Sequence, residues 1–304
     1  MRKIRLVLRW GEFTSFTSYY LETLWREFFQ IETYDPKVKY DTRTLFAVSS
    51  SCMAQDDWPK KQQDLGHKVI VDNLWECATN RSDFYWVEHP CWFLWNESLW
   101  WRALGYNHYC PQRQIQYRAL MPIRKRTSDR DQIVDALGTW LPSMLWSYVA
   151  RGQRLPFDDL AHTLENDAGQ RFMHPFWYDS TFCTVAVETT QSHTVFVTEK
   201  TCKPLAYFHP FMALGAPGTL AFLKKLGYET FENIFDETYD TAPALDTRLK
   251  IISRNLANLD LDRSYDLLTE QKISHNHELF FDERTARASI LREIVQPIVE
   301  YAET

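Results

Sequence analysis

The sequence predicts an α/β protein of two Rossmann-like units with a C-terminal helical tail. Three observations carry that expectation. Over roughly the first hundred residues, short β-branched runs alternate with helical rhythms, the pattern of a parallel sheet flanked by helices. From Cys183 to Gly218 the order is apolar run, polar loop, helical stretch, second apolar run and glycine turn, the grammar of a βαβ crossover. Beyond Ala244 only the helical period persists.

The elements follow in order. Ile4 to Leu8 reads as the first strand, and Ser15 to Phe29 has a helical spacing of Tyr19, Leu21, Leu24, Trp25, Phe28 and Phe29. Thr44 to Val48, Lys68 to Asp72 and Asp83 to Val87 are the next strands, with a polar helix or loop over Asp57 to Leu65. Pro90 to Tyr106 is aromatic and helical. A break near His108-Tyr-Cys-Pro-Gln112 separates an N-terminal, Trp-rich domain (1–112) from a C-terminal one (113–304). In the second, Tyr117 to Ile123 is a strand entering a basic loop, and Asp129 to Leu141 is a helix capped by Asp or Ser. Trp146 to Tyr148 leads toward the apolar runs Thr184 to Glu188 and Pro210 to Leu214. The tail reads as helices over Asp246 to Ala257, Ser264 to Asn276 and Glu283 to Tyr301.

Composition narrows the function classes. At 304 residues, with 45% hydrophobic and 24% charged residues, the chain is long enough for two modest folded domains. Aromatics reach 15%, and nine of the 12 Trp lie within the first 101 residues, so the excess belongs to the N-terminal domain. A net charge of −6 argues against tight non-specific nucleic-acid binding, though not against contact through one local basic patch. The six cysteines form no CxxC pair and no zinc spacing, and Cys183 and Cys202 fall within core-like runs. The start, MRKIRLVLRW, is a first strand interrupted by Arg5 and Arg9 rather than a signal peptide or membrane span, so cytoplasmic residence is the default expectation.

The chemistry concentrates at a helix start. Thr198, Glu199, Lys200 and Lys203 crowd a predicted N-terminus, where free N–H groups and the helix dipole already favour an anion. A cation there neutralises phosphate, and a carboxylate such as Glu199 or Glu188 accepts bonds from ribose hydroxyls. The bland reading is a solvated first turn. The preceding strand, Glu188 and the downstream turn favour a nucleotide-diphosphate site. A second basic group, Arg124, Lys125, Arg126 and Arg130, follows the strand Tyr117 to Ile123. Arg offers a planar fork to a diphosphate, whereas the bland alternative is a solvated loop with Arg130 paired to Asp131 or Asp135.

The segment ETTQSHTVFVTEK, from Glu188 to Lys200, resembles the donor-binding segment of the α1,3-fucosyltransferase family. That family carries a strand ending in Phe-Glu-Asn, a short loop, then Tyr-Val-Thr-Glu-Lys. Closer still are phage-encoded glycosyltransferase-like proteins with TEKT-x-KP, PF, G-x-P-G and DE-x-YD. The resemblance spans Tyr117 to Asp240. Thr189 stands where Asn is usual and Phe196 where Tyr is usual, so the donor is left open between GDP- and UDP-linked sugars. It implies a GT-B fold with the donor on the C-terminal half, no prosthetic group, and inversion at the sugar carbon. Glu188, Glu199 and Lys200 match its polar positions, with the Glu-Lys pair on ribose and phosphates.

Inverting transfer needs a base in the acceptor half. Glu76, beyond the third strand in DNLWE, is the first candidate, with Asp72 in the same segment and Glu88 and His89 as rivals; the bland reading is a helix cap. The Trp series, with Trp75, Trp86 and Trp92 foremost, suits a stacking platform for sugars or extruded bases, although aromatics at such spacings are more often core. Asp236, Glu237, Tyr239 and Asp240 would bind a sugar hydroxyl or cap a helix. Asp260-Leu-Asp262 has the letters of a metal motif but lies between helices, and no metal site is expected. The acceptor is a glycan or, following the phage resemblance, a hydroxymethylated DNA base. The other class in play is a non-catalytic nucleotide-sugar or nucleic-acid-binding module.

Overall fold

The computed structural model describes residues 3–9, 19–49, 57–73, 84–88, 91–158, 171–191, 194–262 and 264–304. The chain divides into two compact units, Met1–Trp100 with Asp282–Thr304, and Trp101–Phe281. Two parallel sheets with helices and a helical C-terminus are the expected architecture. The division differs from the expected one: it falls before residue 112, and the last helices group with the first unit.

The first unit holds a five-stranded sheet in the order β2-β1-β3-β4-β5, with β1 (Ile4–Leu8), β2 (Phe29–Thr33), β3 (Leu45–Ser49), β4 (Lys68–Asn73) and β5 (Tyr85–Glu88). Every pairing is parallel. Strands covered on both faces read as apolar runs, and Leu6, Val7, Val48, Val69, Ile70 and Val71 are wholly buried. Among the described residues this stretch of chain carries the helices α1 (Tyr19–Phe28), α2 (Trp58–Asp64) and α3 (Trp92–Ala103). β2 is an element the periodicity hides. It follows α1 without an intervening residue, so Phe28 and Phe29 read as one helical turn. Parallel pairing with β1, from Ile4↔Phe29 to Leu8↔Thr33, makes it a strand.

The second unit holds four parallel strands in the order β7-β6-β8-β9, namely β6 (Tyr117–Ile123), β7 (Leu145–Tyr148), β8 (Thr181–Val187) and β9 (Phe211–Leu214). Its helices are α4 (Ser128–Ala136), α5 (Pro175–Asp179), α6 (Glu199–Ala206), α7 (Thr219–Lys225), α8 (Leu245–Ala257) and α9 (Leu267–Phe280). All residues of β8 and β9 are buried. α4 is capped by Thr127, whose hydroxyl accepts from the Arg130 N–H, and it stops at Ala136 rather than Leu141. Cys183 and Cys202 are buried within this core.

The tail consists of α10 (Glu283–Ile290) and α11 (Gln296–Glu303), joined by a π-helical turn over Leu291–Val295. It packs on the first sheet: the Tyr301 and Tyr85 rings stack at 4.3 Å. Lys68 Nζ donates to the carbonyls of Tyr301 (2.9 Å) and Ala302 (3.0 Å), the last turn of α11. Among the described residues no helix is long and apolar enough to cross a membrane.

Candidate functional site

Ile123 pairs with Tyr148, Leu120 with Thr184 and Val187 with Leu214. Ile123, Tyr148, Val187 and Leu214 therefore share one row, and Arg124, Glu188 and Gly215 are the first residues past it. In chain order the second strand of this sheet lies on one side of the first, and the third and fourth lie on the other. Open α/β sheets bind ligands beyond their carboxyl ends at such a switch point, here between β6 and β8.

Glu188 sits at that point, fully buried. One carboxylate oxygen accepts from the Thr198 N–H (3.0 Å) and the Thr201 hydroxyl (2.6 Å), the other from the Thr198 hydroxyl. Its own N–H donates to the Leu214 carbonyl. Thr198 is the N-cap of α6, so Glu188 ties the end of β8 to the first turn of the following helix, where a negative charge meets the positive end of the dipole. Both oxygens are engaged within the protein. The expected contact of Glu188 with a ribose hydroxyl gives way to a structural one.

Glu199 and Lys200 follow directly. Lys200 Nζ donates to Glu199 Oε1 (2.8 Å) and to Thr198 Oγ1 (3.0 Å), and the two side chains are 18% and 11% exposed for Lys and Glu respectively. Burial works to raise the Glu199 carboxyl. The Lys200 charge and hydrogen bond, with Lys203 beyond, outweigh it and hold Glu199 below the usual carboxylate range. Glu199 is thus an anion held beside two cations, and its remaining acceptor capacity suits a pair of hydroxyl donors.

Arg130, on the first turn of α4, completes the group. It is 4% exposed, with Nη1 donating to the Lys125 carbonyl (3.1 Å) and Nη2 to the Glu188 carbonyl (3.3 Å), while Nε has no hydrogen-bond partner. Burial lowers its pKa, and the nearby Glu188 and Glu199 charges oppose that. Arg130, Lys200 and Lys203 therefore stand against the carboxylates Glu188 and Glu199, an excess of one positive charge in a largely dry setting. Such an excess favours an anionic ligand.

The rest of the basic loop is arranged differently. Arg126, expected beside Arg130, pairs with Asp131 at 2.8 Å and is 65% exposed. Asp131 also accepts from the Tyr148 hydroxyl (2.7 Å) and from Arg151. Tyr148 first, then Arg126 and Arg151, hold its carboxyl down at about 2. Arg124 is half-buried at the end of β6, with its carbonyl accepting from the Ala150 N–H. The bland expectation that Arg130 pairs with Asp131 or Asp135 fails as well, since those carboxylates take Arg126 and Arg151.

In the first unit, Glu76, Trp75 and His89 lie outside the described residues. Asp72 lies inside β4, between Ser49 and Val87 in register, and is completely buried, which removes it as the base for an acceptor hydroxyl. Glu88 closes β5 opposite Asn73; its side chain is outside the described residues. Trp92 is 2% exposed, and Trp86 packs on the core of Val7, Phe46, Val48, Val69 and Val71. Burial removes Trp92 as a stacking surface, while Trp86 is partly buried and spends part of its apolar area on this core.

The DETYD segment is a set of caps. Asp240 accepts from the N–H groups of Leu220 (3.0 Å) and Ala221 (3.2 Å) at the start of α7, and Glu237 accepts from the Phe231 N–H (2.7 Å). Asp236 accepts from the Thr238 N–H, and Asp260 from that of Asp262, a local turn. His275 is exposed and bonds the Gly227 carbonyl, and Asn276 holds the backbone of Glu229. Among the described residues no three His, Cys, Asp or Glu side chains stand together as a metal-ligand set.

Two residues of this edge were not anticipated. Gln191 Nε2 donates to the Glu188 carbonyl (2.7 Å), and Arg248 reaches the turns after β8 and β9 from α8. The signal for Arg248 is its place in the stripe Leu245, Arg248, Leu249, Ile252 and Leu256, a cation at an apolar position.

No family model matches the chain, and no curated protein matches it significantly. Among solved structures it is similar to an α1,3-fucosyltransferase with GDP-fucose, at 11% identity over 92% of this chain and 91% of that one, with a TM-score of 0.46. An α1,3-fucosyltransferase structure without a named ligand gives 11% identity, coverage of 94% and 92%, and a TM-score of 0.48. One with GDP gives 12% identity, coverage of 87% and 93%, and a TM-score of 0.43.

Proposed function

We propose that this chain is a glycosyltransferase that uses a nucleotide-diphosphate sugar, GDP- or UDP-linked. The observation that carries the reading is the Glu199–Lys200 pair at the N-terminus of α6, beyond β8 at the switch point, with buried Arg130 beside it. Lys200, Lys203 and Arg130 neutralise the diphosphate and stabilise the charge it gains as a leaving group. Glu199 accepts from the ribose hydroxyls. Glu188 and Thr198 hold the helix start in place. The same stretch, Glu188 to Lys200, carries the motif resemblance.

The acceptor is a hydroxyl of a glycan or of a hydroxymethylated DNA base in a phage-type genome. Glu76, carried forward from the sequence, takes its proton, and the sugar carbon inverts. A thermal-shift screen with GDP, UDP and their sugar conjugates tests the donor half. A ligand at a hundred times its Kd adds about 2.7 kcal/mol of stability, a clear rise in Tm. Silence toward all of them ends the donor reading, as does a folded Lys200→Ala variant with undiminished nucleotide binding. Binding without sugar transfer or donor hydrolysis would favour the non-catalytic module. Binding of duplex DNA that weakens steeply with salt separates the DNA acceptor from the glycan.

A further inference from the structure

The turns beyond β8 and β9 are joined by one side chain with no part in the donor contacts above. Arg248, near the start of α8, is wholly buried. Its Nη1 donates to the carbonyls of Gly215 (2.6 Å) and Gln191 (3.4 Å), and its Nε to that of Tyr239 (3.1 Å). Gly215 follows β9, Gln191 lies on the turn after β8, and Tyr239 belongs to the short turn Glu237–Asp240 whose last carboxylate caps α7. One guanidinium therefore holds three segments. Through Gln191 it reaches further: Gln191 Nε2 and Arg130 Nη2 donate to the same acceptor, the Glu188 carbonyl (2.7 and 3.3 Å).

An apolar side chain would fill this place in the α8 stripe without charge. Burying a guanidinium that no carboxylate hydrogen-bonds is costly, and Arg248 Nη2 has no hydrogen-bond partner at all. Stability alone therefore explains the residue poorly. What arginine provides that Met or Leu cannot is a rigid fork for several carbonyls at once, with a permanent positive charge. The neighbouring backbone is correspondingly tight: a Cβ at Gly215 would stand 2.8 Å from Thr219 Oγ1 and 3.3 Å from Glu188 Cγ.

We infer that Arg248 is a positioning residue for the nucleotide-diphosphate site: it sets the turns 188–191 and 215–218 that hold Arg130 and the start of α6, and it adds a further buried cation at this edge of the sheet. This rests on the donor reading above.

The test is titration calorimetry of the full chain with GDP and UDP, alongside backbone amide exchange. Wild type is compared with Arg248→Met, Arg248→Lys and Asn276→Ala. Asn276→Ala removes two hydrogen bonds to Glu229 and serves as a control for stability loss elsewhere in the unit. Arg248→Met is expected to weaken the preferred nucleotide by about tenfold or more, the scale of losing a supporting contact behind a binding group. Arg248→Lys, which keeps charge but not the fork, falls between Met and wild type, and Asn276→Ala stays within about twofold of wild type. The Glu188 and Gly218 amides, which donate to Leu214 and Asp240, exchange faster in Arg248→Met but not in Asn276→Ala. A folded Arg248→Met with wild-type affinity and unchanged exchange overturns the inference. If that variant does not fold, Arg248→Lys carries the same comparison. Should wild type bind neither nucleotide, the donor reading fails by itself, and exchange at Glu188 and Gly218 still decides whether Arg248 holds the turns.

Discussion

Glu188 receives three hydrogen bonds from two threonines across a loop, and its carboxylate is useful only while those donors stay in place. Glu188→Gln keeps the shape but turns an acceptor into a donor facing other donors. The expected loss is about 1–3 kcal/mol, measured by urea unfolding at pH 7; a change under about 0.5 kcal/mol would contradict this account. The sequence marks Glu188 as a polar group at a strand end, but whether it faces a ligand or its own helix depends on how the loop brings Thr198 and Thr201 back. Local pattern does not encode that return. His209 is a second case, buried between Thr181 and Thr184. Burial first, and Arg113 to a smaller degree, depress its pKa from 6.5 to about 3, against the Thr181 carbonyl that works to raise it. The folded protein thus refuses a proton that the unfolded chain takes. The stabilising contribution is complete above pH 6.5 and is lost as pH falls from there toward 3. Between pH 7.5 and 5 wild type should lose about 2 kcal/mol from this group. Unfolding titrations of wild type and His209→Gln at both pH values isolate it, and equal slopes for the two would refute the assignment.

At the scale of elements, the carboxyl edge of the second sheet was legible because each strand ends in a recognisable change: basic residues after β6, a carboxylate after β8, a glycine turn after β9. The lengths of α4 and the existence of β2 were not. Gly138 and the turn at Leu141–Ser143 end α4 early, while β2 arises from pairing with β1, a non-local contact. Arg126 and Arg130 were indistinguishable in the sequence, and only the fold separates them: Thr127 caps α4 so that Arg130 turns inward, leaving Arg126 to Asp131. The glycine turn makes a sharper claim than the sequence could. At Gly215 the demand is space rather than a special φ, since a Cβ meets Thr219 and Glu188. Gly215→Ala should therefore cost about 1–3 kcal/mol by overpacking. It should also weaken nucleotide binding, because beyond Thr219 Oγ1 at 2.8 Å the added carbon presses on Glu188 Cγ at 3.3 Å. Equilibrium unfolding and nucleotide titration of the same variant check both, and an unperturbed Gly215→Ala would show that the two turns are not in tight contact.

At the scale of the whole molecule, the first unit is discontinuous, closed by residues that lie two hundred positions from the sheet they cover. The Trp-rich composition of the first 101 residues announced a domain there, and among its described tryptophans Trp25, Trp92 and Trp95 are buried in its core. The tail read correctly as helix but not as belonging to this unit, because an amphipathic helix does not name its partner. The bonds do: Tyr85 stacks on Tyr301, Lys68 closes the last turn of α11, and Arg287 pairs with Glu27. Removing residues 283–304 should uncover β4 and β5 and loosen the first unit while leaving the continuous second unit, Trp101–Phe281, intact. Because eight of the 12 Trp lie in the first unit, near-ultraviolet circular dichroism is weighted toward it. The truncated chain should lose much of that signal, yet keep its affinity for GDP or UDP within about threefold, as expected when a change elsewhere leaves a site's own contacts in place. A truncated chain that kept its aromatic spectrum would show that the tail is an accessory to the first sheet. One that lost nucleotide binding along with the spectrum would show that the donor site needs more than the residues at the carboxyl edge of the second sheet.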